Sequence, residues 1–467
     1  MSSLRQMLKS SSIYGSADGI SKAVALLLIP LYTHFLAVSD YGRLALYQSL
    51  AGVLSTTLLW GTTASIASFY HFREYRDRFE QVKESTVRFL LAVNLVVVAL
   101  LYLGSRVLGT NPVLTALVLA IAYLAVVRSI QSVHYIHSGR PGKQFALVVS
   151  FSIASAVAIV LALVLFPHPS PVTRIFFSLV LTGAIFFVVV AAGNGFYVTG
   201  HFQWPLVREV LAFGIPVLPH ALSQWTLNFA DRAMLRYFLD YEQVGIYSLG
   251  YNFGMVMFMF LGAINTSWAP AFLRTAENEE NAPEILGRIA SNIWKGFCLG
   301  AAGYLLWIHE VVVVATPRNY HDAIVLSKWI VLGYLVYGSY LLYANGLFAA
   351  RKTRLVPVAT MTAAAVNVAL NLVLIPRFGP SGAVAATLAS FTVMACLVYV
   401  LAMRHYPIPL GLRKLIAPGT VPLGAFGVSM LVDGVPVWFV RVGLKGALTA
   451  PLVLYAYARF RGKNGTT

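Results

Sequence analysis

Charge is the first thing this sequence lacks. Only 11% of its 467 residues are Asp, Glu, Lys or Arg, where a soluble domain carries roughly 25%. With 58% hydrophobic residues and a mean hydropathy of +0.74, a soluble globular class is excluded. The chain reads as an integral membrane protein. Cysteine is scarce as well, and both thiols, Cys298 and Cys396, fall inside apolar stretches; this excludes a disulfide framework or a thiolate zinc site and leaves packing as their expected role. Acidic residues number 17 against 34 basic ones. No nucleophile–base pair, phosphate loop or metal-ligand spacing is present, so no covalent chemistry, cofactor or metal is expected. No leader pattern stands at the start, because MSSLRQMLKSSSIYGSADG is polar for too long; the first helix is expected to insert by itself.

What is present is a recurrence of apolar runs of about 20 residues, the length that crosses a bilayer as a helix. They begin near 12–36 and 43–69, include 214–238, 355–375 and 382–403, and end at 437–458. The expected fold is all-α, polytopic, with about fourteen transmembrane helices. Lys and Arg in the short loops set the orientation, since cytoplasmic loops hold the excess. An inside N-terminus places roughly twenty of them in the cytoplasm, including Arg73, Arg76, Arg78, Lys83, Arg351, Lys352 and Arg354, against seven outside. Both ends are therefore expected to be cytoplasmic. The charge of +17 is then mainly this topology signal, with attraction to anionic lipid as a by-product and no nucleic-acid partner.

One stretch organises the rest: His220 to Phe253, HALSQWTLNFADRAMLRYFLDYEQVGIYSLGYNF. A charge at the centre of the hydrocarbon costs about 2.5–3.5 kcal/mol even on lenient insertion scales, so Asp231 and Arg232 should face protein or water. Shifted by 203 residues, the stretch overlays the N-terminus: Phe238-Leu239 falls on Phe35-Leu36, Gly245 on Gly42 and Leu249 on Leu46. Such weak internal similarity marks transporter folds. It predicts a lobe at 1–203, a second at 204–406 and an addition at 407–467, with the first two related by a pseudo-two-fold axis along the membrane normal.

The polar residues within the spans have two readings each. Asp18 and Lys22, four apart, share a helix face; they either neutralise one another or line a water-filled cavity. Lys328 and Lys445 are expected to snorkel to the interface, while Arg128 and Lys295 stand between snorkelling and the cavity. His220, His309 and Glu310 either carry protons or, as is commoner near helix ends, are solvated caps, and the bend around His309-Glu310 is poorly marked. Pro30, Gly214, Pro216 and Pro219 are packing kinks or hinges. Gly15 and Gly19, spaced GxxxG, are expected at a close helix contact. The acidic run Ala276–Glu284 is expected to be a solvated connector.

The residues then carry a resemblance. Ile13-Tyr14-Gly15 ahead of Ile29-Pro30-Leu31, FLAVSDYGRLALYQSL after the first helix, FGIPVLP before the central stretch, and NVALNLVLIPRFGPSGAVAATLAS from Asn367 to Ser390 stand in an order and spacing that span nearly the whole chain. Together the sequence resembles the polysaccharide-biosynthesis (Wzx-like) flippases of the multidrug, oligosaccharidyl-lipid and polysaccharide exporter superfamily. The resemblance implies two six-helix lobes around a central cavity plus two C-terminal helices. It also implies movement of an undecaprenyl-diphosphate-linked oligosaccharide (an O-antigen, capsule or exopolysaccharide unit) to the outer leaflet of a bacterial inner membrane. Its implied partners are that lipid-linked glycan, membrane lipids, and the polysaccharide polymerase and glycosyltransferases of the same pathway.

On this view the diphosphate needs cations, for which Lys22, Arg232, Arg128 and Lys295 are candidates, with Asp18 and Asp231 beside them. The sugars need amides, hydroxyls and aromatics, which Gln224, Trp225, Asn228, Tyr247 and Tyr251 supply. Three alternatives stay open. A drug or cation exporter of the same superfamily would want acidic cavity residues. A membrane glycosyltransferase, polymerase or ligase would want a large outer loop, and no expected outer loop exceeds about ten residues. A scaffold that transports nothing is the third.

Overall fold

The structure, a computed structural model, describes residues 2–193 and 202–461, and every extended element among them is helical. Two packed units divide the chain, Met1–Arg236 and Tyr237–Thr467. The first holds α1 (Ser2–Phe35), α2 (Val38–Leu58), α3 (Thr62–Phe69), α4 (Phe79–Val107), α5 (Pro112–His137), α6 (Pro141–Leu165), α7 (Pro171–Gly193), α8 (Trp204–Gly214) and nearly all of α9 (Leu218–Phe238). The second holds α10 (Tyr241–Asn278), α11 (Ala282–Ala315), α12 (Ala323–Ala349), α13 (Leu355–His405), α14 (Leu412–Asp433) and α15 (Trp438–Arg461). Ten described helices are long and apolar enough to cross a membrane, or eleven if α2 and α3, bent by 49°, count as one. Counting α2 with α3 and α8 with α9 as single broken segments, and α13 as two joined at Gly379, gives fourteen helical segments among the described residues. The helical, many-span expectation is met.

Helix ends follow local chemistry. Asn111 accepts from the Leu114 N–H at 3.0 Å ahead of Pro112, and Asp240 does the same for Gln243 at 2.9 Å; both satisfy donors that a helix start leaves free. Breaks inside the membrane need the same care, because no water is there to take orphaned backbone groups. The expected span 43–69 breaks at Trp60-Gly61, both with positive φ. Buried Asn94 of α4 donates to the Leu58 carbonyl at 2.8 Å and accepts from the Trp60 indole at 3.0 Å. A polar side chain thus closes the cut end of α2, inside a core made by Leu58, Ile66, Phe79, Val87, Leu90, Ala122, Val126 and Ile130. The expected span 214–238 is likewise interrupted: a 3-10 turn, Ile215–Val217, joins α8 to α9, and the passage begins ten residues earlier, at Trp204.

The two breaks meet. A Cβ on Gly61 would lie 2.0 Å from the Gly214 carbonyl oxygen, and Ser65 donates to the Val210 carbonyl at 2.7 Å. Beside them Tyr75, outside the spans, donates to Glu209 at 2.7 Å; burial, and then that carboxylate, push its phenol above the usual range.

Several expectations need correction. Gly15 and Gly19 make no close contact, since nothing described lies within 4 Å of an added Cβ at either. The close approach occurs instead at Gly250 and Gly254, of the same spacing, where α10 meets α12: a Cβ on Gly254 would sit 2.5 Å from Ile330. Cys298 is buried, but Cys396 is exposed rather than packed. The acidic connector is shorter than expected, because α10 runs to Asn278 and α11 starts at Ala282. No break in the helix occurs at His309-Glu310: α11 is continuous through it, from Ala282 to Ala315.

The largest correction concerns the charges of the second unit. Lys328 and Lys445 do not snorkel; both are fully buried. Lys445 Nζ lies 2.9 Å from Glu310 and 2.6 Å from Asp433, Lys328 Nζ lies 2.5 Å from the other oxygen of Asp433, and Arg441 holds Glu310 at 2.7 Å. Glu310 is therefore a buried ion-pair partner, not a solvated cap, and half-buried His309 stands 3.3 Å from it. Charges in hydrocarbon pair because the alternative is several kcal/mol of lost solvation per ion. The network ties α14 and α15 to α11 and α12.

Candidate functional site

A cavity of about 650 Å³ lies within the first unit, walled by α1, α2, α5, α6 and α7. Helical spacing builds each wall. From α1 come Ser21, Ala25, Leu28 and Tyr32; from α5, Arg128, Ser129 and Ser132; from α6, Val148, Phe151, Ser152, Ser155 and Ile159. Gln48 of α2 and Thr63, just past the break, complete the polar lining. Ser21 and Ser152 share a hydrogen bond at 2.8 Å, and Gln144 donates to Ser132 at 2.7 Å. The Ser155 hydroxyl is buried with no partner among the described residues.

Arg128 is the one charged residue among the described residues of this lining. Its guanidinium lies 4.0 Å from the centroid of the Phe151 ring, and no described carboxylate comes within 4 Å of it. A cation–π contact contributes about 0.5–2 kcal/mol, less than the cost of a bare charge in such a place. An anion or water in the cavity must supply the rest. On the far side of Arg128 a smaller cavity of about 170 Å³ is apolar, lined by Leu124, Leu179, Phe186 and Phe187 among others. One cation thus stands between a hydroxyl-rich space and an oily one. Such a set can hold an anionic, hydroxylated ligand and has no nucleophile–base pair to attack it.

The other sequence candidates fall elsewhere. Lys22 and Asp18 form an ion pair at 2.6 Å with side-chain exposures of 39% and 66%, and neither lines the cavity. Asp231 and Arg232 are both buried. Arg232 donates to the Asn228 carbonyl at 2.9 Å and lies 5.2 Å from the Phe229 ring centroid, while Asn228 donates to the Gln224 carbonyl at 2.7 Å. Trp225 packs over Gly52 and donates to the Ser49 carbonyl at 3.1 Å, fastening α9 to α2. Tyr247 and Tyr251 are wholly buried beside Tyr334; core packing removes them from the groups open to a ligand in this conformation. Lys295 lines a separate recess of the second unit. Sequence reasoning missed the serines around Arg128. Their signal was there: Ser129 with Ser132, and Ser152 with Ser155, repeat on one face of each of two otherwise apolar helices.

Comparison with known proteins follows the same direction. Residues 7–276 match the family described as polysaccharide biosynthesis protein. Protein 1 of the Lsg locus of Haemophilus influenzae is 20% identical over 354 residues, 72% of this chain and 85% of that protein. Among solved structures, the lipid II flippase MurJ in its inward closed conformation aligns with a TM-score of 0.71 at 14% identity, over 96% of this chain and 99% of the other. An outward-facing multidrug resistance MATE family transporter of the MOP superfamily aligns with a TM-score of 0.62 at 13% identity, over 86% and 96%.

Proposed function

Because this chain belongs to the polysaccharide biosynthesis protein family, we propose that it is a flippase for an undecaprenyl-diphosphate-linked oligosaccharide. The cargo is an O-antigen, capsule or exopolysaccharide unit, moved by alternating access from the inner to the outer leaflet of a bacterial inner membrane. Both termini are cytoplasmic in this reading. Residues 1–203 and 204–406 are its duplicated halves, and 407–467 is the addition.

Arg128 carries the reading: a cation with no carboxylate within 4 Å among the described residues, set among serine hydroxyls. Charge-assisted contacts to phosphate are the strong kind, and a low-dielectric wall strengthens them. The diphosphate would rest on Arg128 and the first sugars on Gln48, Ser129 and Ser155, while the polyprenyl tail stays in lipid. Lys22 is half-exposed and joins when its carboxylate partner is exchanged for the diphosphate; Arg232, Asp231 and Asn228 brace α9. The runner-up, a drug or cation exporter, shares the fold with the MATE transporter. It is disfavoured because no carboxylate stands among the described lining residues.

The deciding experiment expresses Arg128→Ala and Arg128→Lys in a strain lacking its own copy, at matched membrane levels. Arg128→Ala should strand the lipid-linked glycan on the inner leaflet, and Arg128→Lys should retain part of the export. Normal polymer export by Arg128→Ala overturns the cationic-cavity reading.

A further inference from the structure

A second polar recess, of about 430 Å³, lies within the second unit where the first turns of α11 face the segment leading into α14. Glu284, Arg288, Ser291 and Lys295 fall four, seven and eleven residues apart on α11, so they share one face; Asn292 flanks them, and Lys414 comes from α14. The rim is held in place. Trp294 donates to the Leu415 carbonyl at 2.8 Å, and Tyr343 donates to the Leu410 carbonyl at 3.1 Å. A Cβ on Gly287 would stand 3.0 Å from Pro409, so α11 comes close to this segment only because glycine is there.

The charge of the recess is unbalanced. Arg288 and Lys414 line it with Glu284 as the one carboxylate among the described lining residues, and neither cation has a described acid within 4 Å. Ser291 is 94% buried, being 6% exposed, and lines the recess. Two cations, a buried serine hydroxyl and an amide converging on a preformed hollow are the donor set of a phosphate site. Its place adds a second reason. The helix ends that form it lie on the side that the loop charges assign to the cytoplasm, where anionic lipids concentrate and basic hollows between helices take their headgroups.

We propose that this recess binds the phosphate of an anionic phospholipid headgroup or a free phosphate, at a site separate from the Arg128 cavity. Native mass spectrometry of the detergent-purified full chain tests it, with dioleoyl phosphatidylglycerol, dioleoyl phosphatidylcholine and inorganic phosphate as probes. Phosphatidylglycerol should bind the wild type and fall about tenfold in Arg288→Gln/Lys414→Gln, the loss expected when charged hydrogen bonds go. Arg288→Lys should keep most of it, and Ser291→Val, which removes the hydroxyl and fills the hollow, should weaken it. Phosphatidylcholine should not distinguish these variants. Competition by millimolar inorganic phosphate identifies the free anion as a ligand, and no competition assigns the site to the lipid. Equal phosphatidylglycerol binding by the wild type, the double variant and Ser291→Val, with no phosphate bound, overturns the proposal. Since Arg128 is not involved, the outcome does not depend on the transport reading.

Discussion

Lys445 donates to Glu310 across 2.9 Å with its side chain wholly buried, although the two residues are 135 positions apart. Around them the count is three cations (Lys328, Arg441 and Lys445) to two carboxylates (Glu310 and Asp433). The two ends of the pair therefore differ in what their loss leaves behind. Lys445→Met leaves two cations and two carboxylates, each acid still paired. Glu310→Gln leaves three cations to the one carboxylate of Asp433, which touches Lys328 and Lys445 but not Arg441. Breaking a buried pair costs about 3–5 kcal/mol when a charge is left uncompensated. Thermal unfolding in detergent should show Glu310→Gln near the upper end of that range and Lys445→Met clearly milder. The reverse order would mean that the carboxylates are not paired as described.

The glycine crossing gives a paired comparison. Gly61 and Gly109 both have positive φ, at 72° and 68°, but only Gly61 faces a neighbour at 2.0 Å. Alanine at Gly109 should cost only the strain of a left-handed residue, about 1–2 kcal/mol. At Gly61 the clash with α8 adds to this, for about 3 kcal/mol or more. Matched unfolding midpoints for the two variants would rule out the contact between α3 and α8.

Orientation is checked at Lys352, which is exposed just beyond the end of α12. A cysteine there, in a background lacking Cys298 and Cys396, should resist an impermeant thiol reagent in whole cells and react after lysis. Labelling in intact cells would turn the topology over.

Lys22 and Asp18 are exposed enough that their pair contributes little to stability, about 0–1 kcal/mol, so Asp18→Asn should leave the unfolding midpoint nearly unchanged. If Lys22 exchanges this partner for the diphosphate, Asp18→Asn should keep or raise export and Lys22→Ala should lower it. Lys22→Ala and Arg232→Ala both exporting normally at normal protein levels would make these charges structural.

How legible was this from sequence? Long apolar runs and the prolines placed most passages, because the length needed to cross hydrocarbon is fixed by the helix rise. The turn at Gly379, φ 59°, lay inside the motif from Asn367 to Ser390. Partnership was not legible. Lys328 meets Asp433, and Lys445 meets Glu310, across more than a hundred residues, and a single sequence holds no term that pairs them. Depth was the neglected clue: three cations and two acids all sit within a few turns of helix ends that the span order puts on one side. Nor was the break at Gly61 visible, since it depends on Gly214 and Asn94 arriving from other helices. For the site, attention went to the ionisable residues one by one, so Arg128 was found but its serines were not.

The buried ion network also bears on how the chain is made. Arg441 and Lys445 stand in the first two turns of α15. Their counter-charges, Glu310 and Asp433, belong to α11 and α14, which leave the ribosome earlier. Membrane insertion of α15 is thus a templated event, in which earlier helices neutralise two charges that would otherwise enter the membrane bare. A lesion at Glu310 would then show first in biogenesis, as a chain with its final passage on the wrong side of the bilayer.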